Sequence, residues 1–187
     1  MINKQLLLDN QTEGVLGKSL TSVIEKNGYK VQMNTDFNYL ELINPDGKLI
    51  LDDLTNYIIE YSPQLLDREF SSILIGGLGL GVVPYVVQDF CTTIDVIEIN
   101  TDIIDINREL DVLGSNVNII EGDVYTFQPT KMYDIVVMDI WWRSISDDVI
   151  NTLNSIYLPF VNAGGFIYYP INQPFNGKDV HTYIVYK

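Results

Sequence analysis

Cysteine is nearly absent from this chain: Cys91 stands alone. One thiol closes no intrachain disulfide, so the fold must be held by its core, and a reducing compartment, the cytoplasm, is the expected setting. Cys91 reads as a small buried apolar residue rather than a nucleophile. Histidine is as scarce, with His181 the only one, and no His/Cys cluster points to a metal centre. Basic residues are few as well. Eleven Lys and Arg against 25 Asp and Glu leave a net charge of -14. A phosphate backbone is bound by clustered Lys and Arg, so nucleic acid is not an expected partner. Long apolar runs are also missing. The longest, 73–87, falls short of a membrane span and is broken by glycines and Pro84. Near the start only Leu6–Leu8 is apolar, too short for a signal peptide. No membrane partner is expected.

What remains is a globular balance of 47% hydrophobic and 19% charged residues over 187 positions. That length suits one domain with a small appendage. We place the appendage at 1–62 and the main domain at 63–187. In the appendage, Leu20, Val23 and Ile24 share one face of an expected helix over 19–26, stopped by Gly28. Alternating residues predict strands over 29–33 and 37–43. The turn Asn44–Pro45–Asp46–Gly47 then returns the chain as a strand over 48–51. A helix over 53–61, ended by Pro63, leads into the main domain.

The main domain is organised around Ser72–Ile73–Leu74–Ile75 followed by Gly76, Gly77, Leu78, Gly79, Leu80 and Gly81. An apolar strand runs into a glycine turn, and a helix over 82–88 follows with Pro84 in its first turn. Such a turn lets a ligand approach the backbone closely. Further strands are expected over 94–99, 117–120, 133–140 and 166–169, the last entered through a turn at Gly164–Gly165. The helices between them span 102–113, closed by Gly114, and 147–157. A final antiparallel strand spans 181–186. Alternation of strand and helix implies a parallel sheet.

Ligands of such sheets bind beyond the carboxyl ends of the strands. Glu98, Asp123 and Asp139 fall there together with the glycine turn. A carboxylate beside a buried strand needs a partner, although each one alone could cap a turn. The turn does not complete G-x-G-x-x-G, since Val82 occupies the third glycine position. No Gly-Lys-Ser/Thr follows it, which excludes a P-loop. Glu98 suits ribose hydroxyls in an NAD or an adenosyl site. Gly122–Asp123 favours the adenosyl one, where it would meet the adenine amino group.

The words Ile73–Leu74–Ile75–Gly76–Gly77, Val96–Ile97–Glu98–Ile99, Gly122–Asp123–Val124 and Tyr133–Asp134–Ile135–Val136–Val137–Met138–Asp139 resemble the class I S-adenosylmethionine (SAM)-dependent methyltransferase fold. Within it they are most similar to the spermidine/spermine synthase (polyamine aminopropyltransferase) family. The upstream stretch 40–52 resembles that family's N-terminal hairpin. The resemblance implies an α/β, Rossmann-like, mostly parallel sheet with a small antiparallel hairpin before it and a truncated C-terminal edge. It implies SAM, or decarboxylated SAM, as cofactor. Gly76, Gly77, Leu78, Gly79 and Gly81 would pass its sulfonium and amino-acid portion, Glu98 and Ile99 would hold the ribose, and Gly122, Asp123 and Val124 would meet the adenine. Asp139 would orient or deprotonate an acceptor, or else contact the adenosyl group. Trp141 and Trp142 either wall the cofactor or belong to the core.

Departures from the aminopropyltransferase pattern are specific. Gly79 replaces an acidic residue of the turn, Trp142 stands where a second acid follows Asp139, and Tyr57–Ile58–Ile59–Glu60 distorts a Tyr–x–Glu word. The expected activity is therefore SAM-dependent transfer, most simply methylation of a small molecule. Aminopropyl transfer, lyase-type cleavage and a non-catalytic role stay open, as does assembly into a homo-oligomer. The acidic balance suits a cationic acceptor such as an amine. Tyr168, Tyr169 and His181 are read as structural before any acceptor role.

Overall fold

The computed structural model describes residues 14, 16, 20–36, 38–53, 70–140, 145–175 and 178–187, without the side chains of 171–182. Strands β1 (Ile24–Lys26), β2 (Tyr29–Asn34), β3 (Tyr39–Ile43) and β4 (Leu49–Asp52) form an antiparallel sheet in that order. The helix expected over 19–26 does not form in its described part, because Asn27 and Gly28 both adopt left-handed backbone (φ 46° and 88°). That two-residue turn is a hairpin signal, and it pairs Ile24 with Val31. Burial alternates as a half-buried sheet requires: Val31, Leu40 and Leu42 face the core, while Gln32 and Glu41 hydrogen-bond across the other face at 3.1 Å. Asp53, at the end of β4, is buried, and its carboxylate accepts the amides of Leu40 (2.6 Å) and Leu16 (3.1 Å). The rest of the helix expected over 53–61 lies outside the described residues, as does the boundary at 62.

The second sheet has six strands in the order β10-β9-β8-β5-β6-β7. Strands β5 (Phe70–Gly76), β6 (Cys91–Glu98), β7 (Val117–Glu121), β8 (Tyr133–Met138) and β9 (Val161–Phe175) are parallel, and β10 (Lys178–Tyr186) is antiparallel to β9. The chain steps outward from β5 to β6 and β7, then crosses back to lay β8 on the other side of β5. Strand order therefore reverses between β5 and β8. The middles of the central strands are apolar, with Ile73, Leu74, Ile75 and Ile135 through Met138 fully buried, as a sheet covered on both faces demands.

Three helices connect these strands: α1 (Val82–Val87), α2 (Thr101–Leu110) and α3 (Asp147–Tyr157). One apolar cluster joins Ile73, Ile75 and Val96 to α2 and to the antiparallel sheet through Val31, Leu40 and Leu42. The other joins Leu74, Val136 and Met138 to Ile150, Leu153 and Tyr157 of α3. Two expected boundaries shift. Helix α2 stops at Leu110 because Asp111, not Gly114, takes the left-handed cap (φ 53°) and returns its amide to the Asn107 carbonyl. Gly164 and Gly165 lie inside β9 rather than before it, where the register with β8 slips between Tyr133 and Ile135. Among the described residues no helix is long and apolar enough to cross a membrane.

Candidate functional site

Backbone hydrogen bonds lash the carboxyl ends of four strands into one rim. The Asp139 amide donates to the Gly76 carbonyl (2.8 Å), the Gly77 amide to Ile97 (2.8 Å) and the Gly122 amide to Glu98 (2.9 Å). Gly76, Gly77 and Asp139 thus meet where strand order reverses, the position at which open α/β sheets bind ligands, while Glu98 ends the next strand and Gly122 and Asp123 follow the one beyond it.

The glycine turn is shaped by what surrounds it. Gly77 has φ 92°, and a side chain there would strike the Asp139 carbonyl. The Gly81 amide closes the turn on the Leu78 carbonyl (2.8 Å), and Leu78 and Leu80 are buried beneath it. Above Gly79 sits Leu51 of β4, so the antiparallel sheet reaches this loop.

Glu98 does more than end β6. Its carboxylate accepts the Leu78 amide (2.9 Å) on one oxygen and the Asn100 amide (2.8 Å) on the other. Asn100 in turn caps α2 by accepting the Asp102 amide at 2.9 Å. One half-buried carboxylate therefore sets both the glycine turn and the start of α2. Beside it, Ile99 is 68% exposed, an apolar side chain standing on a polar rim. Asp123 forms a turn in which its carboxylate accepts the Tyr125 amide (2.9 Å) and its carbonyl accepts the Phe127 amide (2.8 Å). Val124 is buried against Gly76, and its carbonyl is held by the Tyr157 hydroxyl of α3 at 2.6 Å.

Asp139 differs from these two acids. It is half-buried, and among the described residues no hydrogen bond or ion pair reaches its carboxylate. Burial alone pushes that carboxyl up to about 6.

Of the other candidates, Tyr168 and Tyr169 are fully buried in the two cores, with the Tyr169 hydroxyl on Asn154 Oδ1 at 2.8 Å. Trp141, Trp142 and the segment Tyr57–Glu60 lie outside the described residues, and so does the side chain of His181 in β10. Two contributors were missed. Leu51 belongs to a distant strand, and nothing local marks it. Asn107 had a signal, since it interrupts the apolar face of α2 between Ile103 and Leu110.

Among solved structures, the chain superposes on the N-methyltransferase NodS from Bradyrhizobium japonicum WM9 in complex with S-adenosylhomocysteine, with a TM-score of 0.52 and 15% identity over 60% of this chain and 58% of that one. It matches phosphoethanolamine N-methyltransferase 1 of Haemonchus contortus, in complex with phosphoethanolamine and S-adenosylhomocysteine, with a TM-score of 0.54 and 17% identity over 62% of this chain and 25% of that one. The SAM-bound aminopentose methyltransferase CalS10 from Micromonospora echinaspora gives 0.51 and 12% identity over 66% and 51%. This is the class I SAM-dependent methyltransferase fold. The chain spans less than two thirds of each of these three proteins. No protein-family model matches the sequence, and no curated protein sequence matches it.

Proposed function

We propose that this chain is a SAM-dependent methyltransferase acting on a small molecule. The observation that carries the reading is the rim itself, a glycine turn tied to the strand ends that bear Glu98 and Asp139, the latter a carboxylate with no partner among the described residues. The methyltransferases that share the fold were solved with SAM or its demethylated product. The residues present fit that group. Gly76 and Gly77 pack their bare backbone tightly against Met138, Val124 and the Asp139 carbonyl and so set the turn that would pass the amino-acid portion. Glu98 has lone pairs left for ribose hydroxyls, exposed Ile99 would offer the adenine an apolar face, and Gly122, Asp123 and Val124 would meet its edge.

Bound there, SAM supplies a methyl carbon on a sulfonium, which already carries its leaving group. The protein's share is alignment and one proton. Asp139, raised to about 6 and without a partner among the described residues, would orient an acceptor and take its proton. An amine is the acceptor class that an anionic Asp139 suits.

Aminopropyl transfer from decarboxylated SAM is the competing chemistry, supported by the spermidine-synthase-like sequence words. One contact weighs against it. Where that pattern has an acid, Gly79 stands at φ 52°, and a side chain there would lie 2.5 Å from Leu51 Cδ1, an apolar neighbour. Calorimetry against SAM, S-adenosylhomocysteine, decarboxylated SAM, methylthioadenosine and NAD separates the readings. SAM and its product are expected to bind most tightly. Preference for the decarboxylated donor would transfer the assignment to aminopropyl chemistry, and binding of NAD alone, or of nothing, would refute an adenosyl site.

A further inference from the structure

Asn107 is a polar residue in an apolar place. It lies on the core side of α2, only 2% exposed, between fully buried Ile106 and Leu110. Its amide nitrogen donates to the carbonyl of Gly79 (2.7 Å) and to that of Ile103, one turn earlier (2.9 Å). Its amide oxygen has no hydrogen-bond partner among the described residues. That oxygen is pressed against the glycine turn, 2.5 Å from where a Cβ on Gly81 would stand.

A buried acceptor left unsatisfied is costly, and a leucine would fill this space without that cost. The cost is tied to something the asparagine does, and beyond its own helix its amide nitrogen holds the glycine turn through the Gly79 carbonyl. Glu98 fixes that loop at its front through the Leu78 amide, and Asn107 fixes it from behind through the Gly79 carbonyl. Together they hold both sides of one peptide turn, one by accepting and one by donating.

We propose that Asn107 is a positioning residue for the adenosyl cofactor: it holds the Gly79 carbonyl so that Gly76–Gly81 keeps the shape the ligand needs before the ligand arrives. This rests on the SAM-binding reading above. Loss of the anchor leaves the loop free to sample other shapes, and ordering it again is charged to binding.

The test compares three variants with the wild type. Asn107→Leu removes both donors and the orphan oxygen, and Asn107→Asp keeps the shape but exchanges the donor for an acceptor. Leu110→Ala, fully buried one turn further along the same helix, lowers stability without touching the loop. Calorimetry with S-adenosylhomocysteine, run where all four are folded, is expected to show about tenfold weaker binding for both Asn107 variants, the equivalent of about 1.4 kcal/mol. Leu110→Ala is expected to bind within twofold of wild type despite a lower melting temperature. Amide exchange in the ligand-free protein supplies a second readout: Asn107→Leu speeds exchange at Gly81 and leaves Gly122 unchanged. Wild-type affinity in both Asn107 variants, or an equal loss in Leu110→Ala, overturns the inference. Failure of the wild type to bind any adenosyl compound refutes the cofactor reading instead, while the exchange result still decides whether Asn107 orders the loop.

Discussion

Replacing Asp139 by asparagine should make the ligand-free protein more stable. The Asp139 amide holds the Gly76 carbonyl at 2.8 Å, a backbone bond the substitution leaves intact. The carboxylate has nothing to lose, because no donor or cation among the described residues faces it. Burial moves the group from 3.8 to about 6, so ionising it inside the fold costs about 3 kcal/mol at about 1.4 kcal/mol per tenfold step. Its remaining contact with water screens part of this, which leaves about 1–3 kcal/mol. The sign follows from the direction of the shift. A raised carboxyl stabilises the fold fully below its unfolded pKa, and that contribution disappears as pH climbs through the folded value. Wild type and Asp139→Asn should therefore melt together near pH 3.5, separate between about 4 and 6, and stay apart above 7. The variant should be higher by about 2–4 °C for each kcal/mol. Thermal melts of both proteins across that range measure the gap directly. No gap at pH 8, or one that widens as the solution is acidified, would refute the argument that this acid sits in the fold at a cost.

Three further outcomes follow from the same geometry. A cationic sulfonium arriving beside Asp139 favours its charged form, so calorimetry at pH 6 should show proton release on SAM binding, seen as a dependence of the heat on the buffer. Glu98→Ala should weaken S-adenosylhomocysteine binding by about 1–3 kcal/mol, through lost ribose bonds and through the Leu78 and Asn100 amides it leaves unpaired; unchanged affinity would remove Glu98 from the site. Asp95 is a control for pH. Burial opposes its charge, but hydrogen bonds from Lys131, Tyr133 and Asn118 win and hold its carboxyl below the usual range. Its stabilisation is present at neutral pH and lost as pH falls below about 4, so Asp95→Asn should cost about 1–3 kcal/mol at pH 7 and flatten the acid limb of a denaturation profile.

The parts of the fold that could be read in advance are those where a short stretch decides its own fate. Strands such as Ile73–Ile75 and Ile135–Met138 are apolar on both faces because both faces are covered. Helix α3 matches its expected span, 147–157, because Ser146 accepts the Val149 amide at its start and two acids fill its first turn. The hairpin β1–β2 departs from the expected helix because the helical spacing of three residues, Leu20, Val23 and Ile24, competes with an Asn-Gly turn, and the turn wins. Within the site, the acids at the strand ends were visible, and the bonds they make were not. Glu98 reaches Leu78 across 20 positions, Leu51 covers Gly79 across 28, and Asn107 returns to Gly79 across another 28. None of these is encoded locally. Each depends on the fold bringing distant positions together.

Leu51 over Gly79 ties the chain's early residues to the glycine turn, and Val31, Leu40 and Leu42 share an apolar cluster with Ile73, Ile75 and Ile104. A version starting at residue 70 would present that inner surface to water and lose the roof over its glycine bend. Heating should accordingly melt the small sheet and the large one in a single step, and clipping the former should silence the latter.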